Sequence, residues 1–192
     1  MTSNERFKTM LKIAAIYERA AGVLLAKRHD GRAVHTAAGG GRGAPSLLGG
    51  GETMPDLQVF SANGNRWVEI KEKTTTGVYM LLGGLRTTGM DIHNARQYRR
   101  VQEETGMGVM VVFIHKKQDE IRAAWLDDLA STSVYGVNHC EKNGMVYFDY
   151  DALPRICGRE ELIDCMTRED FELLAEYGLA ENLRIEFDGA LT

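Results

Sequence analysis

The chain has 192 residues, 44% of them apolar, and a formal net charge of −4; this suffices for one medium domain with a true core and excludes a largely disordered chain. No run of about 18 apolar residues occurs and the opening MTSNERFK is polar, so a soluble, cytoplasmic protein with no membrane contact is expected. The charge is unevenly divided: residues 1–117 hold 17 Lys and Arg against 10 Asp and Glu, whereas residues 118–192 hold 6 against 17. Either a polyanion is drawn to the first part and repelled by the second, or both are simply solvated surfaces. Cys140, Cys157 and Cys165 lack the paired spacing of a zinc site and are too few for a disulfide framework, so reduced thiols are expected. His139 beside Cys140 is no nucleophile and base, because neighbours on a strand point to opposite faces.

Residues 5 to about 27 predict an amphipathic helix: Phe7, Leu11, Ala14, Ala21 and Leu25 recur at helical spacing, flanked by Met10, Ile13 and Leu24. The same series places Glu18 on the apolar stripe, where an unpaired carboxylate would cost several kcal/mol. From Gly31 to Glu52 the chain is glycine-rich with little periodicity and predicts a mobile loop. Neither a P-loop nor a GxGxxG turn occurs there, so nucleoside triphosphate binding is not expected.

The stretch PDLQVFSANGNRWVEIKEK has two strand-like runs around Asn63-Gly64, which predicts a hairpin closed by a tight type I′ turn. If Ala62 faces Asn65, then Phe60 faces Trp67, Gln58 faces Glu69 and Asp56 faces Lys71, all on one sheet face. Leu57, Val59, Val68 and Ile70 fall on the other, an apolar face suited to packing on a helix. A second loop is expected near Gly83, Gly84 and Gly89. Residues 91–105 predict a helix with Ile92, Ala95, Tyr98 and Val101 inward and His93, Arg96, Gln97, Arg99 and Arg100 outward. After Gly106, residues 108–115 form an apolar run expected of a strand covered on both faces. Strands at Arg122 to Leu126 and Met145 to Tyr150 and a helix near Arg168 to Tyr177 complete the pattern. Residues 1–117 make one unit and the acidic residues 118–192 a C-terminal extension of the same domain.

Directly opposed residues of an antiparallel pair hold their Cβ atoms about 5 Å apart and diagonal ones about 7–8 Å. Asp56 and Glu69, diagonal in this register, can therefore converge on one divalent cation. Without a cation, two such acids repel and one tends to stay protonated. Lys71 reaches the same space, and a metal with a lysine beside it suits phosphodiester cleavage.

Pro55-Asp56 followed by Glu69-Ile70-Lys71 on the next strand resembles the PD-(D/E)xK nuclease superfamily, over roughly residues 5–117. The resemblance implies an α/β fold of restriction-endonuclease-like type, a mixed central sheet flanked by helices, with core order helix, three strands, helix, strand. The first of those strands has no legible counterpart between Arg28 and Met54. It further implies that Asp56, Glu69 and the Ile70 carbonyl hold Mg²⁺, with Mn²⁺ as substitute, that Lys71 serves the attacking water, that Glu18 binds the metal or orients a water on it, and that Gln97 assists. The look is nearest to Holliday junction resolvases and phage-type exonucleases, which implies DNA processing in a bacterium or phage-infected host. DNA, duplex or branched, is the expected partner, with Lys73, His93, Arg96, Arg99 and Arg100 on its backbone. A homodimer is expected because symmetric cutting of two strands favours two-fold assembly, and the acidic extension is a candidate surface for a protein partner. Two alternatives stay open: a catalytically silent DNA- or protein-binding module on the same fold, and an RNA-cutting enzyme using the same residues.

Overall fold

The computed structural model describes residues 2–36, 53–73, 76–115, 117–118, 120–130 and 139–179. Thr2 opens the first helix, α1 (Ser3–Arg28), through a capping box with Glu5. At 26 residues the helix is about 39 Å long, more than the roughly 27 Å of an eight-residue strand, so its first turns run past the sheet. Phe7, Met10 and Leu11 are accordingly exposed, and the core face is Ile13, Ile16, Tyr17, Ala20, Ala21, Leu24 and Leu25. This corrects the expected stripe: Glu18 lies on the flank of the buried face, with its side chain 25% exposed.

The next strand, β1 (Arg32–His35), falls within the stretch expected to be loop from Gly31 to Glu52, and corrects that expectation for its first residues; residues 37–52 lie outside the described residues. β2 (Leu57–Phe60) pairs antiparallel with β1, His35 opposite Leu57, and with β3 (Arg66–Lys73), Leu57 opposite Val68 and Val59 opposite Arg66. The expected register is thus off by two residues. The turn is closed by the Gly64 N–H on the Ser61 carbonyl at 3.0 Å and by the Ser61 hydroxyl on the Gly64 carbonyl at 3.0 Å, and Asn63 is not among the residues with positive φ. A turn that starts on Ser61 and has glycine fourth does not need the two positive φ values of type I′. Because the slip is two residues, the faces survive it: Leu57, Val59, Val68 and Ile70 pack with α1, whereas Trp67 joins the other core.

β4 (Gly77–Tyr79), a single 3₁₀ turn (Met80–Leu82) and β5 (Leu85–Asp91) follow. Gly83 and Gly84, both at positive φ, make the expected link, but Gly89 belongs inside β5 instead of a loop. A Cβ there would lie 2.5 Å from the Val146 carbonyl oxygen, so glycine is required for the two backbones to approach. Gly89→Ala is expected to cost about 1–3 kcal/mol through overpacking, read as a lower unfolding midpoint in denaturant; an unchanged midpoint would contradict the packing described.

Asp91 caps α2 (Ile92–Thr105) by accepting the His93 amide hydrogen at 2.7 Å, and Gly106 at φ 67° ends it. β6 (Val109–His115) is buried almost throughout, as expected of a strand covered on both faces. β7 (Glu120–Trp125), the short α3 (Leu126–Ala130), β8 (His139–Lys142), β9 (Met145–Asp149), β10 (Arg155–Gly158), α4 (Arg159–Ile163) and α5 (Arg168–Glu176) complete the described chain. β8 and β9 are joined by Asn143-Gly144, both at positive φ (53° and 75°), with Lys142 opposite Met145; the Asn-Gly hairpin turn forms here, not at Asn63.

The protein is α/β with a mixed central sheet flanked by helices. Six strands run in the order β1-β2-β3-β6-β7-β10, with β3 parallel to β6 and the other pairs antiparallel. A second sheet has the order β4-β5-β9-β8. The core order helix, three strands, helix, strand is α1, β1–β3, α2, β6, with β4 and β5 inserted before α2. One core lies between α1 and the central sheet; the other holds Trp67, Tyr98, Val101, Val111 and Phe113 with Val146 and Phe148 of β9. The acidic C-terminal stretch contributes to the first through Leu162 and Leu174. Cys157 and Cys165 are free thiols, and burial pushes that of Cys157 up to about 11. Among the described residues no helix is long and apolar enough to cross a membrane.

Candidate active site

β2 begins at Leu57, opposite Val68, while β3 runs on to Lys73. Over Glu69–Lys73 the β3 backbone therefore has no β2 residue beside it, and a buried amide there needs another acceptor. Asp56, one residue before β2, supplies it: its Oδ2 accepts the Ile70 amide hydrogen at 2.8 Å. The carboxylate is fixed by the main chain of the strand carrying the other two residues of the motif. Continuing the pairing by one step puts Asp56 opposite Glu69, where Lys71 was expected.

The Asp56 backbone is held as well. The Thr36 amide and hydroxyl both donate to the Asp56 carbonyl, at 3.0 and 3.1 Å, and the same hydroxyl reaches the Pro55 carbonyl. On the other side, the Thr53 amide donates to Gln97 Oε1 at 2.9 Å. Gln97 thus ties α2 to the segment leading into Asp56, and its amide nitrogen lies 3.2 Å from His93 Nε2.

Glu69 is 3% exposed and pairs through Oε1 with the Lys71 ammonium. Its other oxygen, Oε2, is buried with no hydrogen-bond partner, a costly state for a carboxylate. Lys71 also lies 5.6 Å from the centre of the Tyr98 ring, an electrostatically favourable position. Tyr98 is a site residue that periodicity showed only as a core position. Burial first, then the neighbouring Glu69 charge and a hydrogen bond toward the Glu69 carboxylate, hold its hydroxyl far above the ordinary phenol range.

Burial raises the Asp56 pKa well above the ordinary carboxylate value, and the Glu69 and Glu18 charges push it further, against the lowering by the Ile70 amide and Lys71. Glu18 is raised in the same way, by burial and by Glu69, and lowered by Lys71. The Glu69 charge thus acts on both Asp56 and Glu18, although Glu18 comes from α1. Its neighbour Arg19 forms an ion pair with Asp170 of α5, whose side chain is 3% exposed. His35 Nδ1, also missed in the sequence, lies 3.9 Å from Glu18 Oε2.

The expected residues thus divide into two groups. Asp56, Glu69, Lys71 and Glu18 are brought together, with Gln97 bracing the approach. His93, Arg96, Arg99 and Arg100 stand on the exposed side of α2, away from Tyr98 and Val101. Lys73 sits at the end of β3, opposite His115 of β6, where burial and Lys71 lower its pKa.

Three acids against one lysine leave the cluster two negative charges in excess when all are ionised. Among the described residues no three His, Cys, Asp or Glu side chains are close enough to form a ready-made metal cage. A small hard cation does not need one, since Mg²⁺ is commonly held by one or two carboxylates with several waters. The Asp56 and Glu69 carboxylates, with the Ile70 carbonyl on the same strand as Glu69, fit that requirement by charge and donor type.

No protein-family model matches the chain, and no curated protein matches it. Among solved structures, that of Hjc, a Holliday junction resolvase from the archaeal hyperthermophile Archaeoglobus fulgidus, aligns over 70% of this chain and 84% of that one at 10% identity, with a TM-score of 0.45.

Proposed function

We propose that the protein is a magnesium-dependent nuclease that hydrolyses DNA phosphodiester bonds at the Asp56–Glu69–Lys71 cluster. The observation that carries this is the buried Glu69 carboxylate, whose Oε2 meets no cation, beside a carboxylate whose proton affinity its neighbours raise: the group lacks a positive charge, and one lysine does not supply enough. Mg²⁺ bound there would polarise the scissile phosphate and lower the pKa of the attacking water.

The chain's own residues do the rest. Asp56 and Glu69, with the Ile70 carbonyl, would hold the cation, and the Ile70 amide fixes the Asp56 carboxylate. Lys71, a donor with no acceptor capacity, orients the attacking water or neutralises charge on the phosphate as the bond breaks. Glu18 would accept a hydrogen bond from a water of the site, and Gln97 keeps the Thr53–Asp56 segment in place. Arg96, Arg99, Arg100, His93 and Lys73 supply backbone contacts, whose number sets the salt dependence of binding. DNA, duplex or branched, is the proposed partner, and two copies acting together would serve two strands.

The test is a panel of single-stranded, duplex and branched DNA and RNA, with and without Mg²⁺, on the wild type and Glu18→Gln. Metal-dependent DNA cleavage, slower in the variant by roughly 10–100-fold as for groups that orient a metal-bound ligand, is expected. Cleavage of RNA alone would replace the substrate, and binding without any cutting would favour a silent module.

A further inference from the structure

α1 and β1 do not close on each other completely. Between them lies a cleft of about 500 Å³, walled by Val23, Ala26, Ala33 and Leu57, with Lys27 and Arg32 at its lining and Asp30 as the only acid there among the described residues. Arg19 and His35 line it too, and they differ in state from the first two. Arg19 is spent on Asp170, and His35 leads to the active site through Glu18, 3.9 Å away. Arg28, next in sequence to Lys27, is spent on Glu161. Among the described residues Lys27 and Arg32 have no carboxylate within ion-pair distance; the Lys27 ammonium lies 3.9 Å from Cys165 Sγ and Arg32 Nη1 donates to the Gly31 carbonyl at 3.0 Å.

The cleft therefore combines two cations that no carboxylate neutralises with an apolar wall, and His35 of its lining lies 3.9 Å from Glu18. A duplex backbone needs dispersed cations on a surface and makes no use of apolar walls. A volume of this size is that of pockets enclosing small molecules, and an unpaired nucleotide offers what it would take: an apolar base face together with a phosphate. We propose that the cleft holds one unpaired nucleotide of the nucleic-acid strand next to the scissile position, its base and sugar against Val23, Ala26, Ala33 and Leu57 and its phosphate between Lys27 and Arg32. This rests on the nuclease reading for the adjacent scissile position and makes the protein selective for frayed, overhanging or branched ends.

Binding of the full chain is measured by fluorescence anisotropy in EDTA, so that nothing is cut, on a blunt duplex and on the same duplex with a three-nucleotide overhang. Lys27→Gln/Arg32→Gln removes the charges, and Val23→Phe fills the cleft without changing charge. Each is expected to weaken overhang binding about tenfold and blunt-duplex binding less than twofold, and the charge variant is expected to reduce the salt slope on the overhang by about one to two. Lys27→Arg/Arg32→Lys should retain wild-type binding. Equal losses on both duplexes, no loss in either variant, or a free deoxynucleoside monophosphate that binds as tightly as the overhang would each overturn the proposal. A wild type that binds overhangs this way but cuts nothing with Mg²⁺ would sink the nuclease reading alone.

Discussion

Asp56→Ala and Lys71→Ala are each expected to lower magnesium-dependent cleavage by roughly 10²–10⁴-fold, the range seen when a positioned acid, base or charge-stabilising group is removed. The two losses should differ in kind. Asp56 is an oxygen donor fixed by the Ile70 amide, so its removal should raise the Mg²⁺ concentration needed for half-maximal rate as well as lower kcat. Lys71 cannot ligate a cation, and its removal takes one positive charge from the Glu69 side; kcat should fall while cation affinity is kept or rises. Both variants should keep the wild-type circular dichroism spectrum. Full activity in either would contradict the assignment of that residue.

Asp56→Asn is expected to melt at a higher temperature than the wild type when both are metal-free at pH 7–8. Asp56 has its folded pKa raised above its ordinary value of 3.8 by burial and by Glu69 and Glu18, so the fold favours the protonated acid. Stability from this group is fully present below the ordinary value and is lost as pH rises through the raised one. Asparagine keeps an oxygen for the Ile70 amide and removes the charge. The advantage should shrink as pH falls through the raised value, and Glu18, raised in the same direction, acts with the same sign. For a chain of this size each kcal/mol relieved is worth about 2–4 °C. Mg²⁺ should give the wild type the same relief by binding the folded state, and should leave the melting temperature of Asp56→Asn nearly unchanged. A variant that melts lower at pH 8, and gains as much from Mg²⁺ as the wild type, would contradict this.

The elements legible in the sequence were those with a long period or a sharp stop. The helix ending at Gly106, the apolar run of β6 and the two-faced hairpin around Glu69 appear where expected. Local signals failed where two choices were chemically equal. α1 carries two overlapping apolar phases, and only the length of the sheet decides that Ile13, Tyr17, Ala20 and Leu24 are inside while Phe7 and Leu11 are not. Asn63-Gly64 and Asn143-Gly144 are the same dipeptide, yet the Ser61 hydroxyl captures the first turn and leaves the tight form to the second. β1 is a mostly exposed edge strand of four residues, too short to show alternation among glycines.

In the site, the acids and lysine were readable because the period of two survives a slip of two residues. Tyr98 and His35 were not, because each comes from an element outside the Asp56–Lys71 hairpin. A buried tyrosine on an apolar helix line carries no signal of the carboxylate it will meet.

Isothermal titration of the metal-free protein with Mn²⁺ or Mg²⁺ tests the central claim most directly, with Asp56→Asn and Glu69→Gln alongside. Saturable cation binding by the wild type, abolished or strongly weakened in both variants, is predicted. No binding by the wild type, or equal binding by all three, would contradict a cation site between Asp56 and Glu69.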